Sequence, residues 1–123
     1  MAGKEQKTGI GLSFALNGIA YVIKQEQNMR IHMVAAILAI ICGVVLQISK
    51  VEWVLITVVI ALVMVTEVIN SCIELMMDYI KPDYHVLTKH IKDMAAGAVL
   101  LAAIAAAITG FIIFLPKLLD ILT

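Results

Sequence analysis

The chain has 123 residues, of which 63% are hydrophobic and 15% charged, and its formal net charge is zero. Its mean hydropathy is +1.04. A soluble protein of this size has too little interior to bury so much apolar surface, so the composition predicts an integral membrane protein of one small domain, residues 1–123. Zero net charge provides no bulk attraction to nucleic acid, and we expect no nucleic-acid partner.

Residues 9–28 predict an amphipathic helix that lies in the membrane interface and does not span it. Apolar side chains recur at helical spacing along one face: Leu12, Leu16, Ile19 and Ile23. Polar side chains occupy another face: Ser13, Asn17 and Lys24. This division into two faces is typical of a helix whose apolar side rests in the lipid.

Three apolar segments follow, and they predict membrane-spanning helices at 33–48, 51–79 and 94–115. The second segment is long enough to cross about 30 Å of hydrocarbon and to protrude beyond it. The third is rich in alanine and glycine, which favours close packing of helices, and we expect it to end at Pro116. The predicted fold is all-α, with one surface helix and three transmembrane helices.

The distribution of lysine and arginine predicts the orientation in the membrane. Seven of these residues lie before the first span or in the 80–93 loop: Lys4, Lys7, Lys24, Arg30, Lys81, Lys89 and Lys92. Only Lys50 and Lys117 lie on the other side. Because basic residues concentrate on the cytoplasmic side, we expect a multi-pass protein of the cell membrane with the N-terminus and the 80–93 loop in the cytoplasm.

The second span carries a stripe of polar side chains. At 100° per residue five of them fall on one face, over a length of roughly 16 Å: Glu67, Asn70, Ser71, Glu74 and Asp78. A charge near the bilayer centre costs at least about 2.5–3.5 kcal/mol, so acids within a span point to a functional site. Hydrogen bonding between helices is the structural alternative.

The acids at the cytoplasmic end suit a magnesium nucleotide. Mg²⁺ is usually held by one or two carboxylates together with phosphate oxygens, and a lysine neutralises charge on the phosphates. The cluster consists of Glu26, Glu74, Asp78, Lys92 and Asp93. The chain has neither a Walker loop nor a protein-kinase signature, so phosphoryl transfer here would use an unrelated architecture. Glu67 lies deeper beside Asn70 and is suited to accept a proton from a lipid hydroxyl.

The stretch TEVINSCIELMMD, followed by DYH and then KDMAAGAVL, resembles the bacterial diacylglycerol kinase family. These small membrane kinases include the undecaprenol kinases of Gram-positive bacteria. The resemblance covers nearly the whole chain, and Glu26 in KQEQNMR matches the first-helix glutamate of the family. The other matching residues are Glu67, Asn70, Ser71, Ile73, Glu74, Asp78, Tyr84, His85, Lys92, Asp93 and Met94.

The resemblance implies a homotrimer whose active sites are shared between neighbouring subunits, with ATP as co-substrate and Mg²⁺ as cofactor. It makes Glu67 the general base, assisted by Asn70, and makes Glu26 and Glu74 the metal ligands. The other residues that it assigns to ATP are Lys7, Phe14, Asp78, Asp83, Tyr84, His85, Lys92 and Asp93. Lys7, Glu67 and Ala96 are assigned to the lipid.

Three positions depart from the diacylglycerol kinase branch. Lys7 stands where the family often has an arginine, Phe14 replaces a tyrosine, and Ala96 replaces a serine. Together with the stretches KQEQNMRIH and FLPK, they resemble the Gram-positive undecaprenol kinases. We therefore expect undecaprenol as the lipid alcohol, with diacylglycerol as the alternative.

Two other classes of function are compatible with the residues alone. Glu67 would be the proton-linked substrate site in a small proton-coupled exporter, since intramembrane acids serve such relays. In a non-catalytic membrane adaptor, the same acids would serve assembly.

Overall fold

A computed structural model describes residues 10–123, and this part of the chain is helical throughout apart from short connections. The four helices are α1 (Ile10–Gln25), α2 (Gln27–Leu46), α3 (Lys50–Ile80) and α4 (Val86–Leu122). By length and composition, α2, α3 and α4 are able to cross a membrane. The predicted all-α fold with three candidate spans is confirmed.

Several helix ends differ from the expected ones, among them the start of α4, which begins at Val86 and not at residue 94. The chain enters α2 already at Gln27, so residues 27 and 28 belong to this helix and not to the predicted surface helix. The last helix does not end at Pro116 but continues to Leu122. Membrane helices tolerate proline because neighbouring groups can compensate for the lost hydrogen bond. Just after Pro116, Lys117 Nζ lies 3.4 Å from Glu52 Oε1 of α3 and ties the two helix ends together.

A single residue separates α1 from α2. Glu26 has extended backbone angles, φ −112° and ψ 115°, and its N–H donates to the Val22 carbonyl at 2.9 Å. Arg30 in the first turn of α2 reaches back across this corner. Its Nη1 donates to the carbonyls of Ile23 at 2.8 Å and Lys24 at 2.9 Å, which are carbonyls at the end of α1. The side chain of Arg30 therefore stabilises the corner between α1 and α2.

The turn between α2 and α3 is equally short. Gln47 adopts the left-handed conformation, with φ 55°, and Ile48 N–H donates to the Gly43 carbonyl at 3.2 Å. These are the features of a Schellman motif, which ends a helix and reverses the chain. Ser49 and Glu52 then begin α3 with a reciprocal capping box, with hydrogen bonds of 3.2 and 2.9 Å.

The hydrophobic core lies next to this turn. It contains buried Ile48, Ile56 and Ile113, with Trp53 and other apolar side chains packed against them. Gly43 allows the ring of Trp53 to approach the backbone of α2. A Cβ at Gly43 would lie 2.7 Å from Trp53 Cη2, which is closer than real Cβ contacts.

We expect Gly43→Ala to lower the free energy of unfolding by about 1–3 kcal/mol, because the added methyl group overpacks the contact with Trp53. The thermal unfolding midpoint in detergent micelles measures this effect. Gly11→Ala is the matched control, since nothing in residues 10–123 lies within 4 Å of the Cβ that it adds. Equal midpoints for the two variants would contradict the close approach of α2 and α3.

The other end of the bundle has the opposite arrangement. Here α3 buries polar Glu67, Asn70 and Ser71, while large apolar side chains elsewhere point outward, such as Leu101 with 71% of its surface exposed. The third and fourth helices form the main packing pair. An apolar exterior around a buried polar stripe suits a bundle surrounded by lipid or by other subunits.

Candidate active site

Glu67 is the most buried polar residue in the described chain, with 1% of its surface exposed. Its Oε2 accepts a hydrogen bond from Ser71 Oγ at 3.4 Å, one helical turn further along α3. Its Oε1 lies 3.7 Å from His32 Nε2 of α2, too far for a hydrogen bond. Within residues 10–123 neither this Oε1 nor Asn70 Oδ1 has a hydrogen-bond partner. Because buried acceptors are normally paired, both atoms are suited to receive a donor from a ligand.

These atoms line a pocket of about 260 Å³ that we call the Glu67 pocket. It is bounded by side chains from three helices: Asn28, His32, Glu67, Asn70, Ala96, Val99, Leu100 and Ala103. Ala96, which the resemblance assigns to the lipid, therefore lies in the same pocket as Glu67. A second cavity of about 290 Å³ shares His32 and Ala103 with this pocket and is lined mainly by apolar side chains, many of them small. A polar pocket and an apolar cavity are thus neighbours in the bundle.

A larger groove of about 470 Å³ lies between α1 and α3, and we call it the α1–α3 groove. It brings together Glu26, Glu74 and Asp78, which the sequence predicted to lie in one cluster. Ser71 also lines this groove while its hydroxyl bonds to Glu67 in the neighbouring pocket. The two spaces thus adjoin the same stretch of α3.

Charged side chains surround Glu74 in the groove. Glu26, Asp78 and Lys92 lie close enough to act on its carboxylate electrostatically. Lys92 Nζ on α4 is 2.5 Å from Asp78 Oδ1 on α3, so this lysine lies beside the groove. The arrangement combines several carboxylates with one nearby cation, which suits a nucleotide that carries its own metal ion.

The donor set fits Mg²⁺ only together with a nucleotide. In the described part of the chain no three His, Cys, Asp or Glu side chains are grouped closely enough to hold a metal ion by themselves. Glu26 and Glu74 do line one groove with oxygen ligands, and Mg²⁺ bound to ATP needs only one or two carboxylates from the protein. These residues therefore fit a phosphate-bound magnesium ion.

The remaining predicted residues lie at the edges of this region or outside it. Asp93 pairs with Lys89 at 2.6 Å on the exposed side of α4, and Phe14 is exposed on α1 and does not line the α1–α3 groove. Asp83 and Tyr84 belong to the exposed connection before α4, where Tyr84 is 80% exposed. His85 caps α4, because its Nδ1 accepts a hydrogen bond from the Leu87 N–H at 3.0 Å. Lys7 lies outside the described residues.

Two polar residues of the Glu67 pocket were not predicted from the sequence. His32 reads as an interfacial residue in the sequence, and Asn28 falls in the predicted surface helix, yet both line the pocket from α2. The one available signal is their spacing of four residues, which places them on the same face of a helix that starts before Asn28.

Comparison with known proteins agrees with this architecture. Residues 13–114 match the family model for prokaryotic diacylglycerol kinase. The chain is 40% identical over 101 residues to the undecaprenol kinase of Bacillus subtilis (strain 168), which covers 82% of each chain. It is 35% identical over 100 residues to the diacylglycerol kinase of Escherichia coli (strain K12), covering 81% of this chain and 82% of the relative. A diacylglycerol kinase of Synechocystis sp. is 35% identical over 114 residues, which are 92% of this chain and 65% of that protein.

A bundle of three candidate spans with a buried carboxylate beside an acidic groove is compatible with a membrane kinase that acts on a lipid. The chain belongs to the prokaryotic diacylglycerol kinase family, as the motifs on α3 and α4 indicated. It is an enzyme that phosphorylates a lipid alcohol. This membership selects the kinase over the exporter and the adaptor.

Proposed function

We propose that this enzyme transfers the γ-phosphoryl group of ATP to undecaprenol and so makes undecaprenyl phosphate. Diacylglycerol, which would give phosphatidic acid, is the alternative substrate. The observation that carries the proposal is the buried Glu67 carboxylate, one oxygen of which accepts no hydrogen bond from residues 10–123. A lipid hydroxyl is a donor of the right kind for that oxygen.

In the proposed reaction the Glu67 carboxylate takes the proton of the lipid hydroxyl. The alcohol oxygen then forms a bond to the γ-phosphorus as the bond to the β–γ bridging oxygen breaks, and ADP leaves. The transfer is direct and in line, without a phosphoenzyme, so the contribution of the protein is positioning and electrostatic stabilisation. Glu67 and Glu74 are two turns apart on one rigid helix, about 10 Å along its axis. This distance supports separate roles, with Glu67 at the lipid hydroxyl and Glu74 at the nucleotide.

The α1–α3 groove is the proposed site of Mg-ATP. Glu26 and Glu74 would hold the magnesium ion, which neutralises charge on the phosphates when it is bound. Of the residues that flank the groove, Asp78 and Lys92 would contact the nucleotide directly, with Asp93 near its phosphates and ribose. The assignments of Lys7 and Phe14 to ATP, and of Asp83, Tyr84 and His85 to its adenine end, rest on the family resemblance.

Two observations support undecaprenol over diacylglycerol. The chain is 40% identical to the undecaprenol kinase and 35% identical to the two diacylglycerol kinases. Ala96 lines the Glu67 pocket without a hydroxyl group, in agreement with the departure noted in the sequence. The polar headgroup of diacylglycerol would gain nothing from an alanine there, whereas a prenyl alcohol has no further polar group to satisfy.

The working form is proposed to be a homotrimer in the cell membrane, with α1 on the cytoplasmic surface as an amphipathic helix. The many outward-facing apolar side chains of α2 and α4 support contact with lipid or with other subunits. The excess of lysine and arginine in the N-terminal region and the 80–93 loop supports the cytoplasmic orientation. In this orientation ATP would reach the α1–α3 groove from the cytoplasm.

A phosphoryl-transfer assay in mixed micelles tests the substrate. Purified protein, Mg²⁺ and labelled ATP are given undecaprenol and diacylglycerol in parallel, and the products are separated by thin-layer chromatography. We expect faster labelling of undecaprenol. Faster labelling of diacylglycerol would reverse the choice of substrate, and labelling of neither lipid would contradict the proposed reaction.

A further inference from the structure

We propose that His32 is a positioning residue that orients the Glu67 carboxylate during phosphoryl transfer. This inference rests on the proposed role of Glu67 as general base. His32 Nε2 lies 3.7 Å from Glu67 Oε1, and this oxygen is the one that has no hydrogen-bond partner in residues 10–123. With 21% of its side chain exposed, His32 lies between the buried carboxylate and more open space.

His32 is the only titratable side chain besides Glu67 that lines the Glu67 pocket within residues 10–123. On α3, Ser71 bonds to the opposite oxygen, Oε2, and the next acid, Glu74, is two turns away and lines the α1–α3 groove. On α2, the Arg30 guanidinium is engaged with carbonyls of α1. From α4 the pocket receives only apolar side chains: Ala96, Val99, Leu100 and Ala103. His32 is therefore the titratable group that faces Glu67 from another helix.

The distance is longer than a hydrogen bond, which requires about 2.7–3.2 Å between nitrogen and oxygen. Hydrogen bonds between catalytic groups are often long in the substrate-free enzyme and shorten when the substrate binds. In the shortened contact, Nε2–H donates to Oε1 and holds the plane of the carboxylate. The second lone pair of Oε1 then stays available to the lipid hydroxyl. Both the neutral imidazole with its proton on Nε2 and the imidazolium are able to donate in this way.

Three substitutions distinguish positioning from packing: His32→Ala, His32→Gln and His32→Asn. The amide nitrogen of glutamine lies where Nε2 of histidine lies, whereas that of asparagine corresponds to Nδ1. Loss of a hydrogen bond to a charged group lowers kcat by about 10- to 100-fold, and we expect this loss in the alanine and asparagine variants. We expect the glutamine variant to recover to within about three-fold of wild type, and the KM for Mg-ATP to change by less than about two-fold in all three.

Steady-state kinetics with the lipid alcohol, together with unfolding midpoints in the same micelles, decide the question. His90→Gln is the matched control, because it removes an exposed histidine from α4 and should leave the kinetics unchanged. An equal loss of kcat in the alanine, glutamine and asparagine variants, or no loss in any of them, would overturn the positioning role. If His32→Ala keeps full activity while Glu67→Gln has none, only the role of His32 fails. If wild type phosphorylates no lipid alcohol, the proposed function fails and this inference with it.

Discussion

Glu67→Gln is expected to abolish transfer to the lipid alcohol while the protein still binds nucleotide. The substitution keeps the shape of the side chain but removes the group that accepts the proton, and general-base catalysis contributes about 10²–10⁴-fold. Because Glu67 lies in its own pocket and not in the α1–α3 groove, the affinity for Mg-ATP should remain within about two-fold of wild type. Labelled-phosphate transfer measures the first effect, and calorimetric titration with a non-hydrolysable ATP analogue measures the second.

Glu52→Gln is a suitable control for this result. It makes the same chemical change at the opposite end of the same helix, where Glu52 caps α3 and pairs with Lys117. We expect reduced stability and normal turnover per folded molecule. Unchanged turnover in Glu67→Gln would overturn its assignment as general base, and loss of nucleotide binding would indicate a disturbed fold.

Glu74→Gln is expected to have the second-largest effect, a rise of about ten-fold or more in the KM for Mg-ATP. The substitution removes one of the two carboxylates proposed to hold the metal ion, and a hydrogen bond or ligand contact to a charged group contributes about 1.5–3 kcal/mol. Because the lost contact is to the metal, raising the Mg²⁺ concentration should restore part of the rate. Initial rates over a grid of ATP and Mg²⁺ concentrations measure both effects.

Glu26→Gln should reproduce this phenotype, since Glu26 lines the same groove from the corner between α1 and α2. The Glu52→Gln protein again provides the reference for loss of a carboxylate far from the groove. A normal KM for Mg-ATP with reduced kcat in Glu74→Gln would contradict the metal-binding role and assign Glu74 to the chemical step.

The sequence predicted which polar side chains share a face of α3, because they lie on one regular helix. Five polar side chains between residues 67 and 78 fall on one face by helical geometry alone, and Glu67, Asn70 and Ser71 are indeed buried. Carboxylates near a membrane surface suit a magnesium nucleotide, so the sequence also predicted that Glu26, Glu74 and Asp78 belong together. These three residues line one groove.

What the sequence did not predict depends on contacts between helices. The break at Glu26 occurs within KQEQNMR, which has neither proline nor glycine and whose residues all tolerate a helix. Arg30 stabilises the break through hydrogen bonds to the end of α1, and these contacts are visible only in three dimensions. His32 escaped for the same reason, because nothing near it in the chain shows that it faces Glu67 across α2 and α3. The continuation of α4 past Pro116 shows that proline inside an apolar segment is weak evidence for a helix end.

The corner at Glu26 has a mechanical consequence for the enzyme. Only the two rotatable backbone bonds of one residue join the first helix to the second, so the tilt of the whole first helix is set by a single pair of torsion angles. The hydrogen bonds from the Arg30 guanidinium to the end of α1 stabilise this angle between the helices. Glu26 is the residue that connects the two helices, so a ligand bound to its carboxylate also acts on the backbone angles that set the tilt of α1. A change in these angles moves together all the side chains that α1 contributes to the groove.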